Sequence, residues 1–150
     1  MYKRQPKNTS TEQGVKNSIK DLLENNVKVI LIYPVPPVGF DVMKKLFDNY
    51  SWNKNSFEES LKKNYLTTSY QNFLNYAKVS HETLDELKHP NLYKVYSHKI
   101  FCDKKIKNRC LLHDDEEIFY VDNNHLSKAG NSKLLEIVVK HINDIEKKNN

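Results

Sequence analysis

The chain has 150 residues, 38% of them hydrophobic and 11% aromatic, a length and composition that suit one folded, polar domain with a genuine core. Its formal net charge of +5 comes almost wholly from lysine, since Arg4 and Arg109 are the only arginines. The lysines are scattered among acids and asparagines, a solvated surface rather than an arginine-rich phosphate-reading face, so nucleic acid is not an expected partner.

Residues 1–10 read as a polar, frayed start. The opening MYKRQPK has no apolar segment behind its basic residues and is not a secretory signal. No run approaches the roughly 20 apolar residues that span a bilayer. Ser10 or Thr11 could cap a helix over 12–26, in which Val15, Ile19, Leu22 and Leu23 share one face and Asn25-Asn26 ends the run. The segment 27–33 (VKVILIY) is almost continuously apolar, as a parallel strand covered on both faces would be. Pro34-Val35-Pro36-Pro37 stops it, because proline cannot donate to a ladder, and Gly39 permits a sharp bend. This loop is either a rigid structural connection or one wall of a cleft.

A short helix is expected over 41–49, burying Val42, Met43, Leu46 and Phe47. From 50 to 70 the apolar spacing is irregular (Trp52, Phe57, Leu61, Tyr65), consistent with a long excursion carrying one short helix at 57–64. Segment 69–88 has a helical stripe of Phe73, Leu74, Tyr76, Ala77, Leu84 and Leu87, ended by His89-Pro90. His81 on this helix reads as a surface or satisfied histidine. Segment 92–96 (LYKVY) is the second parallel strand, and the alternation of helix and strand argues an α/β fold.

Cys102 and Cys110 are the only cysteines. Zinc would want four ligands at tighter spacing, although His98 and His113 lie near in sequence. A local disulfide and two buried, reduced thiols both remain open on the residues alone. The acidic run 114–117 reads as a solvated turn.

The stretch on which function turns is 120–130, YVDNNHLSKAG. The apolar run 118–121 reads as a last strand, delivering Asp122 into an Asn-Asn turn. Ser127 suits the N-cap of a helix over 128–145. Asp122 and His125 then share one turn at the C-terminal end of a strand, where open α/β sheets bind ligands. A carboxylate three residues before an imidazole can accept from one ring nitrogen and leave the other free as a general base. An ordinary Asx turn beside a solvated histidine would look similar.

The block YVDNNHLSKAGNSKLL resembles the C-terminal catalytic block of the SGNH hydrolase superfamily. It is most similar to the Y-x-D-x-x-H-L-S-x-x-G block of SGNH domains fused to acyltransferase-3 membrane proteins, which acylate cell-surface sugars. The resemblance implies a three-layer α/β/α, flavodoxin-like fold with a parallel sheet. It also implies a Ser-His-Asp triad to which Asp122 and His125 contribute two members, with no cofactor and no metal. It favours the disulfide between Cys102 and Cys110, because such domains often carry a cysteine pair before this block, and hence an oxidising, extracytoplasmic site on a membrane protein. It favours the cleft-wall reading of the proline loop too, since these domains often have a strand followed by P-x-P.

The implied partners are an acyl donor, a cell-surface glycan acceptor and an N-terminal membrane acyltransferase domain. The resemblance spans 11–147, with 1–10 as a start and 148–150 as a tail, and corresponds to the C-terminal half to two-thirds of an SGNH domain. The chain has no GDS motif, no Gly-Asp pair, and only three glycines, against an average usage of about 7%. The expectation is therefore an incomplete domain that lacks its first strand or strands and its serine, and that is inactive alone. An esterase using the same triad, and a non-catalytic binding module of the same fold, are the alternatives.

Overall fold

The computed structural model describes residues 9–49 and 57–147; of the start expected to fray over 1–10, residues 1–8 lie outside the described residues, as does Trp52, while Thr9 and Ser10 are helical. Helix α1 (Thr9–Glu24) turns Ile19 and Leu23 inward, and begins before both capping residues expected for it. It closes on Asn26, whose φ of 59° is left-handed. The Val27 N–H donates to the Leu22 carbonyl oxygen and the Asn26 N–H to that of Leu23, the paired bonds of a Schellman cap.

Strand β1 (Val29–Ile32) follows, then helix α2 (Val42–Asn49), helix α3 (Phe57–Lys63), strand β2 (Thr67–Ser69) and helix α4 (Tyr70–Asp85). Strand β3 (Leu92–Val95), the one-turn helix α5 (His98–Phe101), strand β4 (Arg109–Leu111) and helix α6 (Lys128–Lys147) complete the order. β1 and β3 pair in parallel, Val29 opposite Leu92 through Ile32 opposite Val95, with α4 in the crossover between them.

Side-chain alternation sets the layers. Val29, Leu31 and Leu92 pack with Ile19, Leu23, Leu84 and Leu87, and the Lys94 ammonium donates to the Leu84 carbonyl oxygen at 3.1 Å. Tyr93, on the opposite face, meets the His141 ring of α6 with centroids 5.8 Å apart. Helices thus cover both faces of the small parallel sheet, which makes the fold α/β.

The strand expected over 27–33 is shorter and less covered. The ladder runs from Val29 to Ile32, with one further bond from the Tyr33 N–H to the Val95 carbonyl oxygen, and Val27 and Ile32 are exposed. Met43 and Phe47, expected in the core, face outward from α2, while Val42 and Leu46 are buried. α6 leaves Leu135, Ile137, Val139 and Ile142 exposed.

A second ladder pairs β2 and β4 antiparallel, Thr67 opposite Leu111 and Ser69 opposite Arg109. Cys102 and Cys110, which face each other in an isolated bridge, are joined by a disulfide, so the thiols are not available to a metal. A second core assembles here from Val38, Val42, Leu46, Leu61, Phe101, Leu112, Phe119 and Tyr120. Each such side chain contributes about 1.5–3 kcal/mol by leaving water, and together they floor the segment that carries Asp122 and His125.

The last strand expected at 118–121 does not form. The segment makes only isolated bridges, His113 with Ile118 and Tyr120 with Leu126, because no continuous strand lies beside it among the described residues. The acidic run is not merely solvated either. The Asp114 carboxylate accepts from the Glu116 and Glu117 N–H groups and pairs with Lys133 at 3.3 Å, and Asp115 is bound to Tyr65 and Lys105. Among the described residues no helix is long and apolar enough to cross a membrane.

Candidate active site at the Asp122–His125 turn

The turn is tied down at each end. The Val121 N–H donates to the His125 carbonyl oxygen at 3.0 Å, closing the turn. The Ser127 Oγ accepts from the Gly130 N–H at 3.1 Å, as an N-cap does, and its hydroxyl donates to the Ile118 carbonyl oxygen. Helix α6 therefore starts at a fixed point immediately after His125.

Within the turn the Asp122 carboxylate organises three donors. One oxygen, Oδ1, accepts from the Asn124 N–H at 2.9 Å and the His125 N–H at 2.7 Å. The other, Oδ2, lies 2.6 Å from His125 Nδ1, which must be the protonated nitrogen, since an ionised carboxylate can only accept. The Asn124 N–H, followed by the His125 ring and the His125 N–H, holds the Asp122 carboxyl down at about 2, so the group is ionised across the physiological range.

With Nδ1 engaged, the neutral ring presents Nε2 as a lone pair. No hydrogen bond to His125 Nε2 exists among the described residues, and the imidazole is 71% exposed. The arrangement can accept a proton at Nε2 while Asp122 stabilises the imidazolium that results.

The proline loop that leaves the C-terminal end of β1 braces this turn. The Val38 N–H donates to the Asn123 carbonyl oxygen at 2.7 Å, and the buried Tyr120 phenol donates to the Pro36 carbonyl oxygen at 2.9 Å. Gly39 takes a φ of 83°, where a side chain would be strained, which lets the chain turn away immediately after this contact. Sequence reasoning anticipated the bond between Asp122 and His125, but not the bonds that tie their turn to the Pro-rich run. The one signal for those bonds was a Pro-rich run placed directly after a strand.

His81, expected at the surface or satisfied, is neither. Its ring lies half-buried against His98, Tyr33 and Phe73, and its Nε2 has no partner. Burial lowers its pKa against the opposing field of Asp85. This aromatic cluster, with Tyr33 and Tyr96, follows the C-terminal ends of β1 and β3.

An α/β domain whose last helix is launched from an Asp-His turn braced by the loop leaving a parallel strand is defined as a class by these features. The chain belongs to the family described as SGNH domain (fused to AT3 domains), whose family model matches residues 2–140. Membership makes it an SGNH module of the kind joined to acyltransferase-3 domains. No curated protein and no solved structure matches the chain.

Proposed function

We propose that this domain is the C-terminal portion of an SGNH-type O-acyltransferase domain, in which Asp122 and His125 are two members of a Ser-His-Asp triad. The observation that carries the reading is the 2.6 Å bond from His125 Nδ1 to Asp122 Oδ2, with Nε2 turned to solvent. The serine is supplied by sequence outside this chain. In keeping with this, Ser127, the serine beside the turn, is committed to capping α6.

On this reading the serine hydroxyl attacks the carbonyl of an acyl donor while His125 Nε2 takes its proton. The donor's leaving group departs with that proton, and an acyl-serine ester remains. A sugar hydroxyl of a cell-surface glycan then gives its proton to Nε2 and attacks the ester. The acyl group, acetyl in the simplest case, passes to the sugar, and His125 returns the proton to serine. Asp122 stays ionised throughout and stabilises the imidazolium.

The membrane acyltransferase-3 domain that accompanies the family supplies the donor side. The Cys102–Cys110 disulfide favours an extracytoplasmic location, since such bridges persist in oxidising compartments. The test is His125→Ala in the assembled acyltransferase. Glycan acylation is lost while circular dichroism and thermal unfolding stay as in the parent; acylation at the parental rate would overturn the assignment.

A further inference from the structure

A cavity of about 300 Å³ opens beside the proline loop, and nothing in the proposed chemistry uses it. Three separate stretches build it: the proline loop (Pro37, Val38, Phe40), the β2–α4 junction, and Arg109 of β4. Val38 belongs to both the cavity and the Asp-His turn, because its N–H donates to the Asn123 carbonyl oxygen at 2.7 Å. His125 lies two positions beyond Asn123, with only Asn124 between them, a backbone span of at most about 7 Å. One wall of the cavity is therefore hydrogen-bonded to the turn.

The lining has two kinds of surface. Phe40, Phe73 and Tyr76 give aromatic walls, and Thr68 and Asn72 give hydroxyl and amide groups. Aromatic faces beside short polar groups match a sugar ring, whose C–H face is apolar and whose edge is hydroxylated.

Arg109 adds a charge. It is half-buried and held in place by Thr67: Nε donates to Thr67 Oγ1 at 2.9 Å and Nη2 to the Thr67 carbonyl oxygen at 3.0 Å. Among the described residues no carboxylate pairs with it. These two bonds use two of the five guanidinium N–H groups and fix the plane of the fork. A fixed, half-buried guanidinium without a counter-charge is a receptor for a planar or tetrahedral anion.

We propose that this cavity is an acceptor subsite for an anionic sugar residue, with the ring against Phe40 and Tyr76 and its carboxylate or phosphate on Arg109. The assignment rests on the acyl-transfer reading for its role as acceptor site, but the binding itself does not need the triad. Arg109 is then a specificity-determining residue that selects charged over neutral glycans.

The test is titration of the 150-residue chain with methyl glucuronide, methyl glucoside and glucose 1-phosphate, followed by amide chemical shifts. The glucuronide binds about tenfold or more tightly than the glucoside, as a charge-assisted bond from arginine requires, and the shifts fall on Thr68, Asn72, Tyr76 and Arg109. Arg109→Gln removes the preference. Tyr76→Ala, at an exposed helical position that alanine suits, weakens both sugars and reads the site even where the Arg109 variant does not fold. Tighter binding of glucose 1-phosphate than of the glucuronide assigns the anion to a phosphate on the sugar and keeps the class.

His125→Ala leaves the titration unchanged, so loss of binding and loss of transfer are separate results. Equal affinity for glucoside and glucuronide, no binding of any of the three, or undiminished preference in Arg109→Gln overturns the proposal.

Discussion

The Tyr120 phenol, fully buried, donates to the carbonyl oxygen of buried Pro36 at 2.9 Å and so ties the segment entering the Asp-His turn to the loop leaving β1. The two residues are 84 apart in the chain, and their bond lies inside the core made by Phe101, Phe119 and Val38. Tyr120→Phe keeps the ring and removes the donor. It should destabilise the fold by about 1–2 kcal/mol, the cost of a lost bond with a buried carbonyl left behind. Urea unfolding measures this, and an unchanged midpoint would show that the bond does not brace the turn.

The two helical glycines should respond in opposite directions. A Cβ on Gly130 would run into the Phe119 carbonyl oxygen, a backbone atom already held as acceptor for the Ser127 N–H. Gly130→Ala should therefore cost about 1–3 kcal/mol by overpacking. A Cβ on Gly14 meets nothing within 4 Å, and Gly14→Ala should stabilise α1 by about 0.5–1 kcal/mol. Equal effects of the two changes on thermal unfolding would contradict the close approach of α6 to residue 119.

Acid should weaken the protein through the buried histidine. His98 is 4% exposed, ringed by Tyr70, Phe73, His81 and Tyr96, and its Nδ1 has no partner. Burial, followed by the fields of His81 and Lys99 and against that of Asp85, pushes its pKa down to about 4 from 6.5. The folded state thus favours the neutral ring. Its contribution is full above about pH 6.5, and falls as pH drops from there towards 4, because the unfolded chain binds the proton first. The loss is on the order of 3 kcal/mol. His98→Phe should flatten the stability profile between pH 6.5 and 4. A parent profile that is already flat in that window would remove the basis for this prediction.

What the sequence made legible follows from how local each signal is. Helices α1, α2, α4 and α6 announced themselves by periodicity, β1 and β3 by short β-favouring runs, and the cap of α6 by a single serine; in each case the cause lies within a few residues, whereas the single turn of α5 carries no such signal and was not expected. β2 (Thr67–Ser69) and β4 (Arg109–Leu111) escaped because three-residue strands carry no pattern of their own, and each exists only through its pairing with the other. The run at 118–121 misled for the converse reason. Its β-favouring residues are used in packing Phe119 and Tyr120 into the core, with bridges in place of a ladder.

The site divides in the same way. Asp122 and His125 are three residues apart, so their bond is a local property and could be anticipated. The Arg109 cavity draws on residues 37–40, 67–76 and 109, and no window of sequence contains it. Its one legible trace was the rarity of arginine in a lysine-rich chain.

The central claim is that Asp122 orients and supports His125 as a base, and Asp122→Asn in the assembled acyltransferase tests it most directly. The carboxyl is held at about 2, so the acid limb of the parent's pH–rate profile above pH 4 is not its titration, and the Asn variant should keep the shape of that limb. Its transfer rate should fall by about 10⁴, as when a triad carboxylate becomes an amide and the wrong imidazole tautomer is favoured. A fall of that size with the fold intact is the result expected of a triad carboxylate; a fall of less than tenfold would reduce Asp122 to a turn residue and contradict the account.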